Sequence, residues 1–385
     1  MALSKIDVAN MLTGLVPNDN TIRRPNAKPL IINGDMAISQ RATSVTGLTN
    51  GSDVYVALDR FGFNEFGSPS SQHTMTQESL TSGNAYINGF ANALKMDVTT
   101  AQGSLDADDA TMIIYKFEGQ DLQLFKKGTA NAEKFTLAFW VKSTKTGTHV
   151  VELFDKDNTR HVSGTYSIST TNTWEHKVVV FPADTTGVFG DDNARSLDVS
   201  WFLSAGTNYT SGTLQTSWGG QADTTRAVGQ VNTVDNTSNN WHITGVQLEV
   251  GEFTSSTLPP FQHESFGDNL ARCERYCLQL EHDMTGGNET QVCFGWAYNT
   301  SSAYGFRDFA VQMRTQPTMS SANGTNYFRI HTNNTADLFD TLGFNASSKR
   351  GFWVNKTGLS GLDTNQIHTV EMVNSNAYVR ADAEL

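Results

Sequence analysis

The chain has 385 residues, a formal net charge of -12 and a pI near 5.2. Such an acidic surface repels phosphate backbones and argues against a nucleic-acid partner. No run of about 20 apolar residues is present to cross a membrane, and the first residues lack the basic, apolar and small-residue regions of a signal peptide, so the product is expected to be made in a cytoplasm and used there or in an assembled particle.

Charged residues make up 17% of the chain, and glycine is plentiful at 32. Asn, Thr and Ser crowd the loops, which suits short strands joined by polar turns. The length exceeds one ordinary core and suggests two domains. Cys273, Cys277 and Cys293 are too few, and odd in number, for a disulfide framework; they read as free thiols, at least two of them packed as small apolar groups.

Residues 1–29 read as an anchor and linker. Ser4 can cap a short helix whose apolar stripe is Ile6, Val8, Met11, Leu12 and Leu15, and Gly14 and Pro17 stop it. So short a helix has no core of its own and needs a surface to bury against, either a partner or its own domain.

Residues 30–268 read as one jelly-roll β-sandwich, with candidate strands at 30–35, 93–98, 112–118, 134–142, 149–155, 166–170, 175–182, 196–204 and 241–250. Phe135, Leu137, Phe139 and Val141 recur every second position, so one face of that strand is core. Trp140 on its other face implies cover there as well. Residues 207–240, rich in Thr, Ser, Asn and Gly, form a long excursion expected at one end of the sandwich. In 241–250 the alternation sets Val246, Leu248 and Val250 on the buried side, with Ile243 on the opposite one. Pro259-Pro260 then forces an extended exit.

Residues 269–385 read as a second, smaller β-domain. A short helix within 269–279 leads into strands at 276–280, 291–298, 308–313, 318–320, 327–331, 351–355 and 377–382. No repeat of 20 to 50 residues is visible, which argues against a parallel β-helix.

Several stretches carry a resemblance. They are L-I-I-N-G-D at 30–35 with Gln40-Arg41, A-L-D-R-F at 57–61, L-A-F-W-V-K-S at 137–143, T-W-E-H at 173–176 and the run from Trp241 to Cys277. Further matches lie at 311–318 and 378–385. In order and spacing they resemble tail-fibre and minor tail proteins of tailed bacteriophages, which carry a jelly-roll domain like that of carbohydrate-binding modules. The resemblance implies an all-β fold and a place on the virion after synthesis in the host cytoplasm. It also implies a homotrimeric assembly, attachment to other tail or virion proteins through the N-terminal segment, and host surface polysaccharide as the target.

Flat aromatic rings bind the C–H faces of sugars while amides and carboxylates take the hydroxyls. Trp140, Trp174, Trp201 and Trp241 lie in strand-like surroundings and default to core. Trp218 with Tyr209 in the long excursion, and Trp296 and Trp353 in the second domain, are the glycan-binding candidates. For a loop tryptophan the competing roles are a lid over the core and an intersubunit contact. No cofactor is expected. Asp155, Asp157 and Asn158 are the first place to look for a structural calcium, since one turn supplies several oxygens, although Asp and Asn are also ordinary turn formers. No carboxylate pair, G-x-S-x-G, H-E-x-x-H or phosphate loop stands out, so no catalytic residue is assigned. The function expected is a tail fibre or receptor-binding protein that adheres without cleaving. An architectural decoration, collar or baseplate protein is the alternative, and a glycan depolymerase ranks last.

Overall fold

Strands form wherever apolar residues recur at alternate positions, and polar turns separate them. A computed structural model describes residues 28–49, 51, 54–282, 289–331 and 336–385. The anchor helix with Ile6, Met11, Leu12 and Leu15 lies outside the described residues. The chain divides into two units, one up to Ser265 and one from Phe266.

The first unit contains β1 (Ser44–Leu48), β2 (Phe61–Phe66), β3 (Gln72–Ser79), β4 (Asn92–Thr100), β5 (Ala110–Glu118) and β6 (Phe135–Ser143). It continues with β7 (Gly147–Asp155), β8 (Arg160–Ile168), β9 (Glu175–Phe181), β10 (Arg195–Ala205), β11 (Gly219–Gly220) and β12 (Asn240–Val250). They pair antiparallel in two six-stranded sheets, ordered β1-β3-β4-β12-β6-β9 and β11-β8-β7-β10-β5-β2. This is a jelly-roll β-sandwich. Phe135, Leu137, Phe139 and Val141 of β6 join Tyr115, Leu153, Val199 and Trp201 of the second sheet in one core. Each large apolar side chain so buried contributes roughly 2 kcal/mol. The far face of β6 is covered too: Trp140 packs on a smaller cluster of Leu80, Ala85, Phe90, Ala93 and Trp174, to which the short helix α1 (Gly83–Ile87) contributes Ala85.

Three expectations for the first unit need correction. Residues 30–35 are a turn, not a strand. Asn33 there has a φ of 60°. Its side-chain amide holds the Ile38 carbonyl at 2.8 Å and the Asp59 carbonyl at 2.9 Å, and its oxygen accepts the Ile38 N–H at 2.8 Å. The Gln40 N–H donates to Asp59 at 3.0 Å, and Arg60, at a φ of 72°, donates to the Lys116 carbonyl at 2.6 Å. Within the residues at 30–41 and 57–61 that carry much of the resemblance, Asn33, Gln40, Asp59 and Arg60 thus make polar bonds, while Ile31, Met36, Ala57, Leu58 and Phe61 enter the main core.

The second correction concerns β12. Its register on β6 shifts between Thr244 and Gln247, where Gly245 adopts a φ of 61°. That bulge reverses the alternation, so Trp241 and Ile243 before it and Val246 and Leu248 after it all enter the same core. Third, the excursion at 207–240 does not stand at one end. It lies across the outer face of the second sheet, through the short helix α2 (Thr207–Thr210) and through β11 paired to β8.

The second unit opens with α3 (Phe266–Glu274), then β13 (Cys277–Glu281), β14 (Thr290–Asn299), β15 (Ser302–Asp308), β16 (Thr318–Ser321) and β17 (Phe328–His331). It ends with β18 (Ala336–Phe339), β19 (Gly343–Ser348), β20 (Gly351–Thr357), β21 (Ile367–Met372) and β22 (Tyr378–Asp382). A three-stranded sheet, β13-β22-β16, accompanies a seven-stranded one, β18-β17-β21-β14-β15-β20-β19. The helix ends at Glu274, because Cys277 already pairs with Asp382. Residues 309–313 are not strand; Phe309 and Met313 instead donate to the Arg350 and Lys349 carbonyls at 2.7 and 2.9 Å. All three cysteines are buried, and none is joined in a disulfide. Among the described residues no helix is long and apolar enough to cross a membrane.

Candidate functional site

The second sheet of the sandwich is apolar toward the core and mixed on its outer face. Direct pairing aligns Asn64 with Met112, Ile114 with Ser200, Asp198 with Phe154, and Ser200 with Glu152 on that outer side. The segment after α2 covers part of it. Met112, Val150, Phe202 and Ala227 form a small apolar cluster there, capped by Phe66, Tyr209 and Leu214.

One residue of the covering segment pins it down. Arg226 donates to both oxygens of the buried Glu152, at 2.8 and 2.7 Å. The His161 Nδ1 sits 2.7 Å from the same carboxylate, and its Nε2 is 3.2 Å from the Thr225 hydroxyl. Burial alone would raise the Glu152 pKa, but the Arg226 charge and hydrogen bonds, aided by His161, hold it down at about 2. The Arg226 guanidinium also lies over three rings, at 5.1 Å from Phe66, 5.7 Å from Phe154 and 5.9 Å from Tyr209.

Beside this constellation the outer face stays open as a cleft of about 250 Å3. Phe66 and Phe154 supply apolar wall, with Asn64, Ser200 and Gln221 as amide and hydroxyl groups. Arg195 lines it while bonded to Asp198 at 2.7 and 2.6 Å. Lys156 is exposed and also lines it, and no carboxylate among the described residues forms an ion pair with its ammonium. Around the cleft Arg195 is offset by Asp198, and Arg226 by Glu152 and by Asp223 at 3.7 Å, while Lys156 adds one exposed ammonium.

The candidates expected from sequence fall in different places. Trp218 is half-buried. Its indole N–H donates to the Pro182 carbonyl at 2.8 Å, and its ring meets Phe135 at 5.7 Å and the Lys127 ammonium at 5.0 Å. It closes the edge of the main core. Tyr209 belongs to the other cluster, 5.6 Å from Phe66, so the fold does not join these two. Trp296 and Trp353 do meet, at 5.7 Å and an interplanar angle of 87°, on the outer side of the seven-stranded sheet.

Asp155, Asp157 and Asn158 do not converge on a cation. The Asp155 carboxylate is taken by the buried Lys127 ammonium and by the Asn158 backbone N–H at 3.0 Å, while Asp157 accepts from the Gly190 N–H at 2.9 Å. Lys127 also reaches Asp184 at 3.1 Å and the Thr186 and Gly187 carbonyls at 3.1 and 2.9 Å. An ammonium thus fills the oxygen-rich place where calcium was sought. Among the described residues no group of three or more His, Cys, Asp or Glu could hold a metal ion.

Sequence reasoning missed Glu152, Phe154, His161 and Arg226. The only local signal was a charged residue between Val150 and Phe154 in a strand that otherwise reads as buried.

No protein-family model and no curated protein matches the chain. Solved structures give distant likenesses. The enzymatically active domain of tailspike protein 4 of bacteriophage CBA120 is 12% identical over 58% of this chain, with a TM-score of 0.30; the match spans 21% of that chain. The family 11 carbohydrate-binding module of a cellulosomal cellulase of Clostridium thermocellum is 10% identical over 54% of this chain and 96% of that one, with a TM-score of 0.27. A family 61 carbohydrate-binding module solved with β-1,4-galactotriose is 7% identical over 58% of this chain and 99% of that one, with a TM-score of 0.26.

Proposed function

We propose that this chain is a glycan-binding protein of a bacteriophage particle, a tail fibre or receptor-binding component that adheres to host surface polysaccharide without cleaving it. The observation that carries the reading is the cleft on the outer face of the second sheet. It combines aromatic wall at Phe66 and Phe154 with amide, hydroxyl and cationic groups at Asn64, Ser200, Arg195 and Lys156, the pairing that sugar rings require. The unpaired Lys156 favours a saccharide that carries a carboxylate.

Adhesion without cleavage is favoured by the state of the carboxylates at the cleft. Glycoside hydrolysis needs a carboxylic acid that keeps its proton near neutral pH. Glu152 is held ionised by Arg226, and Asp198 is bonded to Arg195. Each cleft is small, so strong attachment relies on repeated copies, as in a homotrimer joined to other virion proteins.

The test is binding of the full chain to an array of acidic and neutral bacterial surface polysaccharides, together with competition against particle adsorption. Phe154→Ala and Lys156→Ala are expected to weaken binding about tenfold or more, and added salt to weaken it further. Absence of binding by the folded chain, or binding unchanged in both variants, would overturn the assignment and favour the architectural role.

A further inference from the structure

Two strands of the second unit are built inside out. Along β14 the small residues Gly295 and Ala297 alternate with Phe294, Trp296 and Tyr298; along β15, Ala303 and Gly305 alternate with Tyr304 and Phe306. Ala297 and Ala303 are buried, whereas the large rings face outward. The inner side has no room for bulk. A Cβ on Gly305 would stand 2.5 Å from the Cys293 sulfur and 2.9 Å from Val354. Folding of the unit therefore explains the small residues inside, but not the large ones outside.

The outward rings form continuous rows across adjacent strands. Ile367, Trp296 and Tyr304 are paired neighbours, as are Phe294, Phe306 and Trp353. Phe294, Trp296, Tyr298, Phe306, Trp353 and Ile367 are each between 36% and 75% exposed. At a full burial of about 200 Å2 per aromatic side chain, they leave roughly 600 Å2 of apolar surface open. That is the upper end of what a monomer carries and close to the roughly 800 Å2 each partner contributes to a stable protein interface.

We propose that this aromatic face of the seven-stranded sheet packs against a second copy of the chain. The two rows contain no charged residue, and the nearby Arg329 is bonded to Glu289 at 2.8 Å and to Glu371 at 2.6 Å. The rows of a second copy can therefore meet these rows without opposing like charges; Asp308, exposed two residues beyond Phe306 on β15, and the two carboxylates around Arg329 lie beside the rows and not within them. The rings also brace one another: Trp296 stands edge-on to Trp353 and lies 6.1 Å from Tyr304, and Tyr298 meets Tyr304 at 5.6 Å. Side chains already fixed lose little freedom on docking. The perpendicular Trp296 and Trp353 make a ridged surface suited to interdigitating side chains, and its breadth exceeds what one or two sugar rings cover.

Sedimentation of the full chain tests the proposal. The wild type is expected at a multiple of 42.1 kDa at micromolar concentration. Phe294→Glu and Ile367→Lys each place a charge in the contact and should weaken association about tenfold or more with circular dichroism unchanged. Ile87→Glu, which charges an exposed apolar side chain on α1, should leave the mass as it is. A wild type that sediments as a single chain overturns the proposal, as does retention of the full mass by both face variants. Loss of polysaccharide binding in Phe294→Glu with a monomeric wild type would identify the face as a sugar platform and overturn it equally. The outcome is independent of what the cleft of the first unit binds.

Discussion

Lys127→Met removes the one cation among the described residues that reaches Asp155, while keeping the length of the side chain. Lys127 and Asp155 are fully buried, Asp184 nearly so, and Asp184 retains Arg160 at 2.9 Å. Among the described residues Asp155 then keeps only the neutral donors of Asn158. Breaking a buried pair from one side costs about 3–5 kcal/mol, and the lost contacts of the ammonium with the Phe189 and Trp218 rings add to it. The loss has a ceiling, because the stranded carboxylate can take up a proton. At pH 7 that costs about 4 kcal/mol, being 1.36 kcal/mol for each unit between the ambient pH and the ordinary aspartate value of about 3.9. At pH 5 the same ceiling is about 1.5 kcal/mol. In the variant the carboxyl is easier to protonate folded than unfolded, so its deficit must shrink as pH falls. Urea unfolding of wild type and variant, followed by tryptophan fluorescence at pH 7 and pH 5, measures both quantities. The expected deficit is about 3–4 kcal/mol at pH 7 and less than half of that at pH 5. Adding Asp155→Asn removes the stranded charge and should recover most of the loss at pH 7. A deficit under about 1 kcal/mol at pH 7, or one that does not diminish with pH, would refute the reasoning.

Arg226→Met takes the guanidinium from Glu152, leaves it His161 at 2.7 Å, and releases the covering segment. Limited proteolysis should then cut within 206–232 at a rate at least about tenfold above wild type, at a cost of about 3–5 kcal/mol; unchanged cleavage would show that other contacts hold the segment. Burial lowers the pKa of His73 and His149 to about 4. The unfolded chain then binds protons first, so stability is full above pH 6.5 and is lost as pH falls toward 4, by about 2 kcal/mol per histidine between pH 6.5 and 5. A urea midpoint that stays level over that interval would contradict this. Gly245→Val forces a branched side chain onto a φ of 61° and brings its Cβ to 2.6 Å from the Phe90 ring. It should destabilise the sandwich by about 2 kcal/mol or more, and Gly245→Ala by less, read from thermal unfolding.

Much of the architecture was legible because its cause is local. The alternation Phe135, Leu137, Phe139, Val141 requires a strand with one core face whatever lies beyond it, and the observed β6 is that strand. Composition alone pointed to short strands and polar turns. What misled was parity and cover. Nothing in T-G-V-Q announces that the chain will gain a residue at Gly245, and one bulge returns Ile243 to the core side. Leu30-Ile31-Ile32 reads as a strand because it is apolar, yet Asn33 turns the chain by bonding groups that come from Ile38 and Asp59.

The candidate sites divide the same way. The sequence by itself determined that this is an all-β chain with aromatics to spare, and it singled out Trp296 and Trp353, which the fold does bring together. Only the tertiary structure decided that Trp218 seals a core and that Lys127 sits where calcium was sought. Only it brought Arg226 of the covering segment onto Glu152 and His161, up to 74 residues away in the chain. A residue's alternation depends on its immediate neighbours and can be read along the chain. Its exposure and its charge partner depend on which strands pair and what folds over them, and these are set by contacts distant in sequence.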